Sequence, residues 1–266
     1  SFQFKRRTKK TFSPIHMQKR WSIDTVFEVE GGISSYSLSK DGKSMYVITG
    51  EWSKEFKNIE DKNSEPMYYE NLPFRFDTRG IIYNKRSHVY KVNIQTKKVI
   101  NIVDGDAKDI ISIESMVEGE KGLVLSFDQY NSKGTMLEEK IGAIEGSKIK
   151  EIYSQGSMGN LFYYEDGLHA VGMRKRFDWP TNTTVLKISN TGKVSYKYRL
   201  FDRNIVKAEV NEAILYFLYE DSGKTLLRDG TNNVDLINSK VTIKDFAFNN
   251  EQTFVIANSF SNPDEI

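Results

Sequence analysis

The amino-acid sequence predicts an all-β fold in which four-stranded antiparallel units repeat along the chain. Apolar and polar residues alternate with a period of two over most of the 266 residues, which is the spacing of a half-buried strand. Turns rich in Gly, Asn or Asp interrupt these stretches roughly every 8–12 residues. Long amphipathic helical patterns are nearly absent. The chain is therefore expected to consist of consecutive β-hairpins.

Two types of hairpin alternate along the sequence. The first type occurs at residues 36–48, where two apolar stretches flank Asp41-Gly42, a strong signal for a tight turn. The second type occurs at residues 88–103, on either side of a turn at 95–97. The first type recurs at 111–127, 161–173, 206–219 and 243–257, and the second type recurs at 141–153, 185–200 and 226–237.

The spacing of the first hairpin type is nearly constant. Its successive turns at Gly119, Asp166, Asn211 and Asn250 lie 47, 45 and 39 residues apart. Four strands in every 40–45 residues or so is the period of a β-propeller blade. An antiparallel β-sandwich, which also consists of hairpins, is the alternative fold.

The period predicts a β-propeller of four-stranded antiparallel blades, with about five blades' worth of strands present and six or seven in the full protein. The expected parts are complete blades at 33–103, 110–153, 158–200 and 205–237, a lone hairpin at 242–258, and an incomplete piece before residue 30. The first interval, from Asp41 to Gly119, is 78 residues long. This length predicts an insertion between Glu51 and Ser87, inside the first complete blade.

The composition excludes several classes of protein. Thirty-eight basic residues against 36 acidic ones give a net charge of +2, which is too small for the basic surface that nucleic-acid binding requires. No apolar stretch approaches the roughly 20 residues of a membrane span. Cysteine is absent, which excludes disulfides and thiol catalysis and suits a cytoplasmic location. No nucleic-acid or membrane partner is therefore predicted.

The sequence lacks a recognisable catalytic or metal-binding pattern. The segment 156–159 (GSMG) is one residue too short for the Gly-x-Ser-x-Gly elbow of an α/β-hydrolase. Among the three histidines, His88 and His169 lie on predicted strands without paired ligand spacing and are expected to be structural. The acidic segment 104–106 is expected to be a solvated turn. No catalytic residue, metal ion or cofactor is predicted for this chain.

Three segments of the sequence carry a resemblance to a known family. They are a blade turn at 39–43 (SKDGK), an Arg/Asp/Gly-rich loop at 73–82 (PFRFDTRGII) that leads into the strand at 86–92 (RSHVYKV), and the stretch 258–266 (NSFSNPDEI). Together they resemble the N-terminal β-propeller of prolyl oligopeptidase-family serine peptidases, notably the acylaminoacyl-peptidase branch. Over most of the chain the resemblance lies in the spacing of the blades, and only these three segments resemble the family in sequence.

The resemblance implies a domain organisation and a function. Residues 1–258 would be the propeller, incomplete at its N-terminus, and residues 259–266 would begin the linker to an α/β-hydrolase domain of the same polypeptide. The propeller would restrict the active site of that domain to short peptides, and the catalytic triad would lie outside this chain. The protein would be cytoplasmic, with a homo-oligomeric state as an option. A free-standing propeller that serves as a protein-interaction scaffold is the alternative.

The insertion supplies the candidate site residues. Its aromatic and arginine side chains are of the types enriched at binding surfaces, and an arginine fork can hold a carboxylate with two hydrogen bonds. The residues expected to contact substrate or the hydrolase domain are Tyr68, Tyr69, Phe74, Arg75, Arg79 and Arg86. In the alternative interpretation, the loop packs over the rim of its own blade, with Phe74 and Phe76 buried and the arginines solvated.

Overall fold

The computed structural model of the protein describes most of the chain. The described residues are 12–19, 22–30, 32–57, 69–76, 80–120, 122–165, 167–175, 182–198, 201–237, 240–248 and 252–259. They contain 22 strands and two helices of four residues each. Neither of these helices is long enough to cross a membrane.

Strands follow one another with few interruptions. The elements are β1 (Phe12–Lys19), β2 (Ser22–Glu30), β3 (Gly32–Leu38), β4 (Ser44–Trp52), α1 (Lys54–Lys57), β5 (Arg75–Phe76), β6 (Gly80–Ile81), β7 (Lys85–Asn93), β8 (Val99–Val103), α2 (Gly105–Lys108), β9 (Ile110–Gly119), β10 (Gly122–Tyr130), β11 (Leu137–Glu145), β12 (Lys148–Tyr153), β13 (Ser157–Tyr164), β14 (Gly167–Met173), β15 (Thr184–Ile188), β16 (Val194–Tyr196), β17 (Ile205–Asn211), β18 (Ile214–Asp221), β19 (Lys224–Asp229), β20 (Val234–Asp235), β21 (Thr242–Phe248) and β22 (Thr253–Asn258).

The strands assemble into the predicted blades. The four-stranded sheets have the orders β3-β4-β7-β8, β9-β10-β11-β12, β13-β14-β15-β16 and β17-β18-β19-β20, so that each strand pairs with the next one in its sheet. Three two-stranded sheets, β1-β2, β5-β6 and β21-β22, complete the described part of the chain. The predicted repeat of four-stranded antiparallel sheets is confirmed, and the chain has a β-propeller architecture.

The turn between β3 and β4 shows how the sequence specifies a hairpin. Gly42 has a φ of +67°, a left-handed conformation that glycine adopts without strain. The Ser39 hydroxyl donates to the Asp41 carboxylate at 2.6 Å, and that carboxylate accepts the Lys43 amide at 3.0 Å. These hydrogen bonds lower the pKa of Asp41, the Ser39 bond most of all. The Asp-Gly turn that the sequence predicted is therefore held by its own side chains.

The chain divides into two compact units, each with its own apolar clusters. The first unit comprises residues 1–113, 127–138 and 145–148, and the second comprises 114–126, 139–144 and 149–266. In the first unit, Val26 and Phe27 of β2 pack on the β3-β4-β7-β8 sheet, where they contact Met45, Val47 and Val92. In the second unit the largest cluster lies between the β13-β16 and β17-β20 sheets. The middle strands of the complete sheets supply most of these buried side chains.

Candidate functional site

One end of the first complete blade collects the polar and aromatic residues that the sequence singled out. In the antiparallel order β3-β4-β7-β8, the connection from β4 to β7 and the segment that follows β8 emerge at the same end of the sheet. We call this region the insert end. Its described residues are 53–57, 69–76, 80–84 and 104–109, all within the first unit.

Helix α2 begins the segment that follows β8, and its start is fixed by Asp104. The Asp104 carboxylate accepts the amide hydrogens of Asp106 and Ala107 at 3.1 and 3.4 Å, as an N-cap residue does. The backbone of Gly105 lies against the Ser87 carbonyl, where a Cβ atom would clash. The sequence Asp-Gly-Asp-Ala therefore forms a capped helical turn packed on β7. The prediction of a solvated turn is wrong for Asp106, whose side chain is only 13% exposed.

Lys54, the first residue of α1, joins the insert to this turn. Its ammonium group donates to Asp104 Oδ2 at 3.1 Å, and its backbone amide donates to Asp106 Oδ1 at 3.1 Å. The bond to Asp104 raises the pKa of Lys54. Partial burial raises the pKa of Asp104, but the bonds from Lys54 and the Ala107 amide outweigh burial and bring this pKa below its ordinary value. Both groups are therefore charged at neutral pH.

His88 lies beneath the same turn. It is 4% exposed, and its Nδ1 accepts the Gly105 amide hydrogen at 3.2 Å. Because Nδ1 is an acceptor, the neutral ring carries its proton on Nε2. Asp104 Oδ1 lies 3.6 Å from Nδ1, and Asp106 Oδ2 lies 3.9 Å from Nε2. The imidazole is thus placed between two carboxylates that also bind Lys54.

The geometry of His88, Asp104 and Asp106 favours a polar anchor over a metal centre. One ligand atom from each lies within 4.8 Å of the others, which is close enough to consider a shared ion. A metal-bound histidine normally donates from its second ring nitrogen to an acceptor. Here Nδ1 faces the donor N–H of Gly105, and the Lys54 ammonium already binds Asp104. These three side chains are therefore better suited to binding the Lys54 ammonium than to binding a metal ion.

A buried carboxylate lies one strand away. Glu51 of β4 is 6% exposed and accepts hydrogen bonds from the Tyr90 hydroxyl at 2.8 Å and the Thr49 hydroxyl at 3.1 Å. Burial, reinforced by Glu51, raises the pKa of Tyr90 far above its ordinary value, so that Tyr90 remains a donor at all physiological pH values. The Tyr90 ring stacks on His88 with centroids 6.1 Å apart. These contacts tie the buried polar groups of β4 and β7 together.

The described part of the insert places an aromatic cluster at the surface. The Tyr69 and Phe74 rings stack with centroids 4.5 Å apart, and Tyr83 meets the edge of Tyr69 at 5.4 Å. Phe74 is 36% exposed and Leu72 is 56% exposed. The cluster is joined to the following sheet, β9-β10-β11-β12, by the hydroxyl of Tyr130 in β10, which donates to the Pro73 carbonyl at 2.8 Å. Apolar side chains are therefore presented to solvent from a well-supported backbone.

The predicted site residues have different environments. Tyr69 and Phe74 are in contact, and Arg75 is exposed beside them. Arg86 is 12% exposed and is bound to its own blade through Asp109 at 2.8 Å and through the Tyr83 carbonyl at 2.6 Å. The rim-packing alternative expected Phe74 to be buried and Arg86 to be solvated, and neither is observed, whereas Arg75 is exposed as it expected. The side chain of Phe76 lies outside the described residues. Tyr68 and Arg79 lie outside the described residues.

The contact between Lys54 and the Asp104 turn leaves no signal in the sequence. The two residues are separated by 50 positions, and no local pattern links them. The start of α2 could have been found, because Asp104 is a preferred N-cap residue and Asp106 places an acidic side chain in the first turn. Ser157, the serine nearest to a hydrolase elbow in sequence, lies at the start of strand β13.

The repeated four-stranded antiparallel sheets define the chain as a β-propeller domain. No family model and no curated protein matches the sequence. Among solved structures, the chain is similar to the acylaminoacyl peptidase of Pyrococcus horikoshii, with a TM-score of 0.72, 14% identity, and 92% of this chain covered. It is also similar to an acylaminoacyl peptidase in complex with Z-Gly-Gly-Phe-chloromethyl ketone, with a TM-score of 0.71, 14% identity and the same 92% coverage.

A third similar structure is the β-propeller domain of the Trilobed protease from Pyrococcus furiosus. Its TM-score is 0.65 at 12% identity, and the match covers 92% of this chain and 68% of that domain structure. By contrast, the chain spans 38% and 37% of the two acylaminoacyl peptidase chains. At these identities the similarity establishes the propeller fold.

Proposed function

We propose that this chain is the non-catalytic β-propeller domain of a serine peptidase resembling acylaminoacyl peptidase. In this proposal an α/β-hydrolase domain of the same polypeptide carries the catalytic triad, and the propeller restricts access to short peptides. The observation that carries the proposal is the match of 92% of this chain to 38% of the P. horikoshii acylaminoacyl peptidase. A domain of that relative size leaves room for a separate catalytic half. A cytoplasmic location and a homo-oligomeric state remain predictions.

The insert end is the surface that we propose for contact with the peptide. Leu72 and Phe74 expose apolar area next to the exposed guanidinium of Arg75. Apolar side chains can bind those of a peptide, and a guanidinium can bind its carboxylate through two hydrogen bonds. Arg86 has a different role in this proposal, because its bonds to Asp109 and Tyr83 hold the underlying backbone. Tyr68 and Arg79 stay in the proposal as sequence-based candidates.

The test uses the full polypeptide and chromogenic acylated peptides of increasing length. We expect Arg75→Ala to raise KM about tenfold or to change the preferred peptide length, with kcat and the melting temperature nearly unchanged, because it removes only a binding contact. The matched control is Lys43→Ala, which removes an exposed cation from the turn between β3 and β4. If KM and the preferred peptide length are unchanged in Arg75→Ala, the proposal that the insert end contacts the peptide is contradicted.

The same assay with the full polypeptide and acylated peptides distinguishes the proposal from the alternative of a free-standing interaction scaffold. A free-standing interaction propeller has no hydrolase partner, so its full polypeptide would not turn over any acylated peptide. The proposal expects turnover by the full polypeptide and none by residues 1–266 alone, because the nucleophile and its base would lie outside this segment. Turnover by residues 1–266 that is lost on mutation within them would contradict it.

A further inference from the structure

His88 is a buried titratable group with an unusual set of neighbours. Asp104 and Asp106 face its two ring nitrogens from the α2 segment. Lys54 of α1 binds both of these aspartates, and Tyr90 stacks on the imidazole from the same strand. Glu51 of β4 reaches this group through its hydrogen bond with Tyr90. These charged and titratable neighbours of His88 are thus connected to one another.

Protonation of His88 changes what its ring can bind. The neutral ring accepts the Gly105 amide hydrogen at Nδ1, whereas an imidazolium is a donor at both nitrogens. Two donors would then face each other across 3.2 Å, and this hydrogen bond would be lost. The nearest acceptors for the imidazolium are Asp104 Oδ1 at 3.6 Å and Asp106 Oδ2 at 3.9 Å. Protonation therefore exchanges one neutral hydrogen bond for two ion pairs.

Protonation of His88 affects the insert because Asp104 and Asp106, which face the ring, also bind Lys54. Asp104 Oδ2 binds the Lys54 ammonium, and Asp106 Oδ1 binds the Lys54 amide. An imidazolium competes with both of these bonds and with the N-cap bonds of α2. Gly105 lies so close to the Ser87 carbonyl that the turn has little room to adjust on that side. A change of charge at His88 is thus transmitted to the first turn of the insert.

We propose that His88 makes the anchorage of the insert sensitive to pH. At neutral pH the uncharged ring supports Gly105, and Asp104 and Asp106 hold Lys54. On acidification the charged ring draws the two aspartates toward itself and loosens segments 53–57 and 104–109. This inference does not depend on the proposed function. If the insert end does guide peptides, the same change regulates their access.

Hydrogen exchange measured by mass spectrometry tests the proposal on the full polypeptide. With rates corrected for the intrinsic effect of pH, we expect segments 53–57 and 104–109 to lose protection by about five- to tenfold as His88 becomes protonated, the size of one net hydrogen bond. Strand β18 serves as the internal reference and should not change. Protection of both segments that is independent of pH between 7.5 and 5 would overturn the proposal.

Two variants identify the responsible histidine. His88→Gln keeps an acceptor for the Gly105 amide but cannot be protonated. In this variant, segments 53–57 and 104–109 should therefore be equally protected from exchange at pH 7.5 and at pH 5. His169→Gln replaces a second buried histidine of the described residues, which lies in the second unit, and should keep the pH response of the wild-type protein. A pH response that persists in His88→Gln, or is lost in His169→Gln, would contradict the assignment.

A measurement on the unmodified protein does not depend on the folding of any variant. The NMR signals of the His88 imidazole and the Gly105 amide should titrate with the same midpoint, because Nδ1 and this amide share one hydrogen bond. The Lys54 amide, which is bound to Asp106, should follow with that midpoint as well. Different midpoints for His88 and Gly105 would overturn the proposed coupling.

Discussion

The β17-β20 sheet and the insert end both contain fully buried side chains, but different forces hold these side chains in place. In the β17-β20 sheet, Leu215, Phe217 and Leu218 of β18 are at most 1% exposed and are surrounded by apolar side chains. At the insert end the buried groups are His88 and Glu51, which are held by hydrogen bonds and charged neighbours. Apolar contacts involve no charge that pH can change or that salt can screen, whereas ion pairs do. The two regions should therefore respond differently to the same perturbation.

The largest expected effect is in the apolar region. Phe217→Ala removes a ring that contacts Tyr198, Phe201 and Tyr219, and it should lower the free energy of unfolding by about 3–5 kcal/mol at every pH. The matched control is Phe254→Ala in β22, where the ring is 44% exposed and the loss should be about 1 kcal/mol or less. Denaturant titration measures both. Equal losses for the two variants would show that burial does not distinguish these strands.

The next effect concerns the cap of α2. Asp104→Ala removes the acceptor of two amide hydrogens and should cost about 1 kcal/mol at neutral pH. Since the pKa of Asp104 is lowered in the folded protein, its contribution is fully present above the unfolded pKa near 3.8. The contribution is lost as the pH falls through the lower, folded pKa. A difference between variant and wild type that is as large at pH 2 as at pH 7 would contradict this origin.

A smaller effect is expected for the cation of the same cluster. Lys54→Ala removes a solvent-exposed ion pair, which contributes little to stability and less than the cap of α2. Salt screens such a pair, so the difference from wild type should shrink in 1 M NaCl. The matched control is Lys98→Ala, an exposed lysine in the turn between β7 and β8. A loss of stability in Lys54→Ala larger than that in Asp104→Ala, or one insensitive to salt, would show that Lys54 contributes through packing.

His169 of β14 contacts Phe162 and Tyr164 of the apolar cluster that the β13-β16 sheet shares with the β17-β20 sheet, so it tests whether this cluster is insensitive to pH. It is fully buried against Phe162, and burial lowers its pKa despite the hydrogen bond with the Gly167 carbonyl at 3.0 Å. The neutral form is therefore favoured on folding. Its contribution is fully present above the unfolded pKa near 6.5 and is lost as the pH falls through the folded pKa. His169→Phe should reduce the slope of stability against pH below 6.5, and an unchanged slope would contradict this.

The blade repeat could be predicted because its signals are local. A period of two in apolar residues and a turn such as Asp41-Gly42 lie within 15 residues or so of each other, and each hairpin is specified by its own segment. The strand pairs at 36–48 and 88–103 were found for this reason. The sequence does not contain comparable local signals for the two-residue strands β5 and β6 of the insert.

The insert end could not be predicted, because its contacts join distant segments. Lys54 meets Asp104 across 50 positions, and the environment of His88 depends on a turn that lies 16 positions further along the chain. The exposure of side chains on a strand also could not be predicted from the local sequence. The apolar sequence of β22 resembles that of a buried strand, yet Phe254 and Ile256 are 44% and 36% exposed, because β22 pairs with β21 alone among the described strands. Burial depends on the neighbours of a strand as well as on its sequence.

The most direct test of the proposed function is to locate the reactive serine. The full polypeptide is treated with a fluorophosphonate, which labels the activated serine of serine hydrolases, and the labelled peptide is identified by mass spectrometry. We predict one labelled serine, outside residues 1–266, whose labelling is suppressed by an excess of an acylated peptide substrate. Labelling of a serine within residues 1–266, or no labelling of an otherwise folded full polypeptide, would contradict the assignment of this chain as the propeller of a serine peptidase.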